Sequence, residues 1–105
     1  MKQLDVRTKI FESIHATDPN AEAYLFGSRA RGDFRPESDW DILILVDKQK
    51  VTNEIEDQFR DKLYTIELES GQIISTFIYS KDYWSNCLLY SPLFKNVSKE
   101  GIRLC

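Results

Sequence analysis

Apolar residues recur at helical spacing in two stretches of the chain. In each stretch they return every three or four positions, which places them on one face of a helix. The first pattern predicts a helix over residues 4–16, ended by a turn at Asp18-Pro19-Asn20, and the second predicts a helix after residue 50. The positions are Val6, Ile10, Phe11 and Ile14 in the first stretch and Val51, Ile55, Phe59 and Leu63 in the second.

Strand patterns occupy the intervening segments. Residues 24–26 predict a short strand, and the apolar run that begins at Trp40 predicts a buried strand over residues 40–46. Residues 64–69 alternate between apolar and polar, Ser70-Gly71 could supply a turn, and residues 72–79 are rich in strand formers, so a hairpin is predicted. Further helices are expected over 81–89, capped by Ser80, and from Pro92 to Gly101.

These elements predict an α/β (α+β) fold, a mixed β-sheet with helices packed on it, in which the hairpin supplies an antiparallel pair. With 105 residues, 42% of them hydrophobic, residues 1–105 are expected to form one domain. No apolar run approaches the roughly 18 residues of a membrane span, and no signal segment is evident, so we expect a cytoplasmic protein that does not bind membranes. A net charge of −3 disfavours a nucleic-acid partner.

The candidate chemistry lies between the first two predicted strands. Gly27-Ser28 follows the first strand, and Asp39 and Asp41 open the second after ten intervening residues. Glycine allows a backbone to approach phosphate, and amides with a serine hydroxyl can donate to its oxygens. Alternate residues of a strand share a face, so both carboxylates point the same way, as a Mg²⁺ site requires, while Trp40 points to the opposite face and is expected in the core. Alone, each half of the motif is typical of an ordinary turn or of solvated acids.

Three arginines, Arg29, Arg31 and Arg35, lie beside the Gly-Ser turn, where they could meet a triphosphate. Arg29 is the favoured nucleotide-binding candidate among them. Arginines are also common on solvated loops, so the pattern alone leaves both interpretations open.

The run Gly-Ser-Arg-Ala-Arg-Gly followed by Ser-Asp-Trp-Asp-Ile-Leu-Ile-Leu-Val resembles the DNA polymerase β-like nucleotidyltransferase superfamily, specifically its minimal nucleotidyltransferase (MNT) branch. The resemblance extends over almost the whole chain. It implies transfer of a nucleoside monophosphate, AMP from ATP or another NMP from its NTP, to an acceptor hydroxyl. It also implies that Gly27 and Ser28 hold the β and γ phosphates and that Asp39 and Asp41 bind two Mg²⁺ ions.

The chain departs from the family pattern at the third carboxylate, which normally lies on a later strand. Residues 73–78 contain no acid, and Ser75 is the best match for the position. Glu67 and Glu69, on the predicted partner strand, are the nearest substitutes, although a solvent-facing role is favoured for both. The absence leaves open a slow transferase, a transferase that borrows a base from its substrate, or a nucleotide-binding relic.

The resemblance implies a partner, because MNT proteins are frequently paired with a helical HEPN toxin that they modify. The alternative is a pseudo-transferase that senses nucleotide or neutralises its partner by contact. A small-molecule transferase is less favoured. The NTP, the acceptor and any homo-oligomer are left open by the sequence.

Overall fold

The computed structural model describes residues 3–105, which form five helices and four strands in that part of the chain. Helices and strands alternate along the chain up to β3, with a single helical turn between the first two strands, and two consecutive helices then precede the last strand. The elements are α1 (Gln3–Thr17), β1 (Glu22–Phe26), α2 (Ser28–Arg31), β2 (Trp40–Val46), α3 (Asn53–Ser70), β3 (Ile74–Ser80), α4 (Lys81–Asn86), α5 (Pro92–Glu100) and β4 (Ile102–Arg103).

The four strands form one mixed sheet in the order β3-β2-β1-β4. β1 is antiparallel to β2 and to β4, whereas β2 and β3 run parallel. In this register Asp41 lies opposite Phe26 on one side and Ser75 on the other. The start of β2 is therefore flanked by the end of β1 and the start of β3.

Helices cover both faces of the sheet, so the fold has three layers. α1 and α3 pack on one face through side chains that include Ile10, Phe59 and Leu63, and α4 and α5 pack on the other through Trp84 and Val97. Along β2, Trp40, Ile42 and the other even-numbered residues face α1 and α3, and Leu43 and Leu45 face α4 and α5. The buried position of Trp40, 4% exposed, confirms its predicted core packing.

The predicted hairpin over residues 64–79 is wrong, although its second strand is confirmed as β3 (Ile74–Ser80). Residues 64–70 instead continue α3, which ends where Gly71 adopts the left-handed conformation (φ 71°, ψ 13°) and donates its backbone N–H to the Glu67 carbonyl. The physical reason is that Phe59, Leu63 and Ile66 stay on one helical face and are all buried, whereas Leu68 is 67% exposed. Gly71 is thus a helix cap rather than a hairpin turn.

Most of the other predicted helices and strands are confirmed, one helix is shorter than predicted, and one strand was not predicted. The helix at residues 4–16, the strand at 40–46, the Ser80 cap and the helix from Pro92 are confirmed. The α4 helix ends at Asn86 rather than Leu89, and the short strand β4 was not predicted. The mixed sheet is also confirmed, but its antiparallel pairs come from β1 and not from a hairpin. Among residues 3–105, no helix has both the length and the apolar character to cross a membrane.

Candidate functional site

The two candidate carboxylates meet Ser75 at the edge where β2 and β3 begin. Asp41 has the same strand parity as Leu43, so its side chain lies on the α4 and α5 face, and Asp39 precedes the strand with the same parity. The Ser75 hydroxyl donates to Asp39 Oδ2 at 3.3 Å. Asp39 is exposed and Asp41 is partly buried. The structure therefore brings together the two predicted acids and the residue predicted at the third-carboxylate position.

Gly27 allows Asp41 to lie directly against the turn that follows β1. Its backbone conformation (φ 76°, ψ −160°) is strongly disfavoured for every residue other than glycine. A Cβ at this position would overlap Asp41 Oδ2 and lie 3.1 Å from Asp41 Cγ. Glycine is required here because the carboxylate occupies the space of a side chain, a packing reason that the sequence pattern alone did not reveal.

The surroundings of Asp41 disfavour its charged form. Burial raises the pKa of the Asp41 carboxyl, and the negative charges of Asp39 and Glu100 raise it further, while the positive charge of Arg31 opposes them. A cation bound between Asp39 and Asp41 would relieve this repulsion. The electrostatics of the site thus favour a bound positive charge.

Arg31 and Glu100 form an ion pair beside these acids. Arg31 Nη1 lies 2.9 Å from Glu100 Oε2, and Arg31 Nε lies 3.2 Å from Asp33 Oδ2. The Glu100 side chain is only 16% exposed, whereas that of Arg31 is 47% exposed. Arg31 therefore presents an accessible positive charge at the site, held in place by a largely buried acid at the end of α5.

Arg29, the favoured nucleotide-binding arginine, has a different environment. It is 6% exposed, and its guanidinium donates to the Ser38 and Pro36 carbonyls and to Gln72 Oε1. The guanidinium carbon also lies 4.3 Å from the centre of the Trp40 ring, on the side of the sheet opposite the carboxylates. These contacts hold the loop before β2 and bury the guanidinium, and the nucleotide contact predicted for Arg29 stays a prediction.

Glu67 and Glu69 are not placed to replace the third carboxylate. Both lie on α3, which packs on the sheet face opposite Asp41, rather than on a strand beside it. Glu67 Oε1 accepts the backbone N–H of Ile74 and so joins the end of α3 to the start of β3. On the strand next to β2, Ser75 is the residue that contacts the two acids.

The donor set fits Mg²⁺ with two protein ligands. Carboxylate oxygens are the hard ligands that Mg²⁺ prefers, and this ion commonly takes one or two carboxylates and completes its coordination with water and substrate phosphates. Within residues 3–105 there is no cluster of three or more His, Cys, Asp or Glu side chains arranged to hold a metal ion. Asp39 and Asp41 could therefore hold Mg²⁺ as its two protein ligands, with water or nucleotide phosphates at the remaining positions.

Two residues of the site were not identified from the sequence. Gln72 accepts from both Arg29 Nη2 and Trp40 Nε1, at 2.8 and 3.1 Å, and Glu100 orients Arg31. Both are far from the motif along the chain, and no local pattern marks either of them. Only the parallel pairing of β3 with β2 and the return of α5 to β1 bring them to the site.

A comparison with protein families identifies the chain. The family model described as a nucleotidyltransferase domain matches residues 7–99. The chain belongs to the nucleotidyltransferase domain family. This match includes the Gly27-Ser28 turn, Asp39, Asp41 and Ser75, and it confirms the family that the sequence resembled. A comparison with curated proteins gives no match.

Solved structures support the fold of this nucleotidyltransferase domain. A crystal structure described as a toxin-antitoxin with AMP-PNP is similar at a TM-score of 0.66 and 20% identity, covering 94% of this chain and 72% of that one. A mutant of the toxin-antitoxin MntA-HpeT is similar at a TM-score of 0.67 and 17% identity, with the same coverage of both chains. At these identities the similarity establishes a shared fold, and the expected nucleotidyltransferase-type mixed sheet is confirmed.

Proposed function

We propose that this nucleotidyltransferase domain transfers AMP from Mg²⁺-bound ATP to a hydroxyl group on a protein partner. The observation that carries the proposal is the packing of Asp41 against Gly27, with Asp39 and Ser75 on the same edge of the sheet. This arrangement joins a glycine turn suited to phosphates with two carboxylates suited to Mg²⁺. Family membership supports the reaction type.

In this reaction the acceptor oxygen forms a bond to the α-phosphorus of ATP. The bond from that phosphorus to the oxygen bridging to the β-phosphate breaks, pyrophosphate leaves, and the acceptor proton is released to solvent. Asp39 and Asp41 would hold Mg²⁺, which when bound neutralises the triphosphate and the charge that develops on the leaving group. The protein's contribution is to fix both carboxylates against the Gly27 turn.

The triphosphate would lie against the Gly27-Ser28 turn. The Ser28 hydroxyl and backbone amides are suited to donate to its oxygens. Arg31 is the arginine with both access to solvent and an electrostatic influence on Asp41, so it is the side chain best placed to bind a phosphate. The ion pair with Glu100 would hold Arg31 in position for that contact.

A toxin is the protein partner that the comparisons favour. The similar structures are toxin-antitoxin complexes, one of them with the ATP analogue AMP-PNP. The resemblance to the MNT branch adds the expectation that the partner is a helical HEPN-type protein. Asp39 is exposed, so the site is open to solvent and a partner's hydroxyl could enter it.

A labelling experiment tests this proposal. The purified chain, Mg²⁺, ATP labelled on the α-phosphate and a helical HEPN-type partner protein should give a labelled partner. Asp39→Ala combined with Asp41→Ala should abolish the label, and Asp47→Ala, which removes an exposed acid after β2, should keep it. Label retained in the double variant contradicts the proposal.

The occupancy of the third-carboxylate position by Ser75 favours a second candidate, a pseudo-transferase that acts by contact. A serine hydroxyl is neutral at pH 7, so it brings no negative charge to a bound Mg²⁺ and cannot act as the base that an ionised carboxylate provides. Calorimetry separates the two functions. A stable complex with the partner, without any Mg²⁺-dependent binding of ATP by the chain, would leave only the contact role.

A further inference from the structure

The buried arginine Arg29 contacts the residues on both sides of Asp39, through a backbone carbonyl on one side and an aromatic ring on the other. Its Nε donates to the carbonyl of Ser38, the residue before Asp39, at 3.0 Å. Its guanidinium carbon lies 4.3 Å from the ring centre of Trp40, the residue after Asp39. One side chain therefore fixes both neighbours of a candidate metal ligand.

The same guanidinium also fixes the loop that leads into β2. Nη2 donates to the Pro36 carbonyl at 3.2 Å, and the Phe34 ring centre lies 4.9 Å from the guanidinium carbon. In the described part of the chain Nη1 is buried without a hydrogen-bond partner, and the guanidinium lies over the faces of two aromatic rings, which attract a cation. The loop before β2, which has no regular secondary structure, is thereby supported from inside by one arginine side chain.

Gln72 connects this support to the strand that carries Ser75. Its Oε1 accepts from Arg29 Nη2 at 2.8 Å and from Trp40 Nε1 at 3.1 Å. The amide therefore holds the arginine and the tryptophan in one orientation. Since Ser75 in turn donates to Asp39 Oδ2, the Asp39 side chain and its backbone are both tied to the start of β3.

We propose that Arg29, oriented by Gln72, is a positioning residue that holds Asp39 in the geometry needed to bind Mg²⁺ with Asp41, and that it does not bind the nucleotide. This inference rests on the proposed function, because it assumes that Asp39 and Asp41 are metal ligands. Arg29 acts through the backbone of residues 36–40 from the opposite side of the sheet.

Arginine suits this role better than lysine. A planar guanidinium can donate in fixed directions to two carbonyls and an amide while its face stacks on an aromatic ring. A lysine ammonium cannot satisfy three separated acceptors and stack at the same time. Arg29→Lys keeps the positive charge but loses the directed hydrogen bonds and the stacking of the guanidinium, so it separates an electrostatic role from a positioning role.

Mn²⁺ affinity, measured by electron paramagnetic resonance without nucleotide, is the main readout. Loss of residues that orient metal ligands typically lowers metal affinity by about 10 to 100-fold, and we expect a decrease of at least about tenfold for Arg29→Lys. ATP affinity in EDTA should be unchanged. Arg35→Lys, at an exposed arginine of the same loop, is the matched control and should bind Mn²⁺ as the unmodified chain does.

Variants of Gln72 keep the test decisive if Arg29→Lys does not fold. Gln72→Ala removes the acceptor and should weaken Mn²⁺ binding, whereas Gln72→Glu retains an acceptor for Arg29 and Trp40 and should restore it. Unchanged Mn²⁺ affinity in both Arg29→Lys and Gln72→Ala would overturn the inference. So would weaker ATP binding in EDTA with normal Mn²⁺ affinity, which would mean that Arg29 contacts the nucleotide. No Mn²⁺ binding by the unmodified chain, with or without ATP, would instead contradict the proposed function.

Discussion

At the scale of single residues, the site depends on close packing between a backbone turn and a carboxylate. Gly27 leaves the space that Asp41 Oδ2 occupies, and Asp41 would lose that position if the turn carried a side chain. The Gly27-Ser28 half of the motif and the Asp39-Asp41 half are therefore one physical unit. Their spacing along the chain reflects the antiparallel pairing that places Phe26 opposite Asp41.

Gly27→Ala should abolish Mn²⁺ binding, because the new Cβ displaces the Asp41 carboxylate. Gly32→Ala is the matched control, since Gly32 also has a positive φ, 88°, but a Cβ there meets no atom within 4 Å. The left-handed backbone of Gly32 costs a residue other than glycine about 1–2 kcal/mol, and the Gly27 conformation (φ 76°, ψ −160°) is disfavoured more strongly, so both variants should unfold at lower temperature, Gly27→Ala at the lower one. Only Gly27→Ala should lose the metal in a Mn²⁺ titration. Equal Mn²⁺ affinity in the two variants would show that Gly27 is needed for its backbone conformation alone.

At the scale of elements, the sequence predicted those structures whose patterns have a single interpretation. The apolar run of β2 and the spacing of Val6, Ile10 and Ile14 in α1 each fit one structure, and both elements are confirmed. Residues 64–69 fit both a strand and a helix, because apolar and polar residues also alternate over six positions in a helix that has apolar side chains on its exposed face. Burial of Ile66 with the rest of the α3 face decided between them, and that is a tertiary effect.

For the candidate site, the sequence predicted the residues of the local motif but not those that come from distant segments. Gly27, Ser28, Asp39 and Asp41 are close in sequence and were identified together. The surroundings of these residues come from distant segments, so Gln72 and Glu100 could not be found from a local pattern. Arg29 was identified as a candidate, but a sequence does not show on which side of a strand an arginine of the preceding turn will pack.

Substitutions in α3 can verify the helical assignment. Ile66→Ala should lower the free energy of unfolding by about 2–5 kcal/mol, as expected for truncating a buried aliphatic side chain. Leu68→Ala should change it by less than about 0.5 kcal/mol, because the Leu68 side chain is largely exposed. Urea unfolding monitored by circular dichroism measures both. In a strand, residues 66 and 68 would share one face, so similar losses for the two variants would contradict the helix.

At the scale of the whole molecule, the chain carries a net charge of −3 and places several acids around one small site. Asp39 and Glu100 both raise the pKa of the Asp41 carboxyl, and Arg31 only partly offsets them. The metal-free fold therefore contains a local repulsion that a bound cation would remove. The stability of the metal-free fold is therefore higher when Asp41 is neutral, whereas the proposed activity requires its charged carboxylate.

Asp41→Asn should consequently stabilise the metal-free chain at neutral pH while removing its Mg²⁺ response. Burial, Asp39 and Glu100 raise the pKa of Asp41 above the unfolded value of about 4, so the folded state binds this proton more tightly than the unfolded state does. The stability associated with this group is fully present below the unfolded pKa and is lost as the pH rises through the folded pKa. In EDTA, the melting temperature of Asp41→Asn should exceed that of the unmodified chain at pH 7, and the difference should disappear towards pH 3.

Asp47→Asn makes the same change in net charge at an exposed position and should show no such pH-dependent gain. Added Mg²⁺ with ATP should raise the melting temperature of the unmodified chain and of Asp47→Asn but not that of Asp41→Asn, because ligands stabilise only the state that binds them. A lower melting temperature for Asp41→Asn in EDTA at pH 7 would show that the Asp41 charge stabilises the fold without metal, which is the opposite of what its buried position beside two other acids implies.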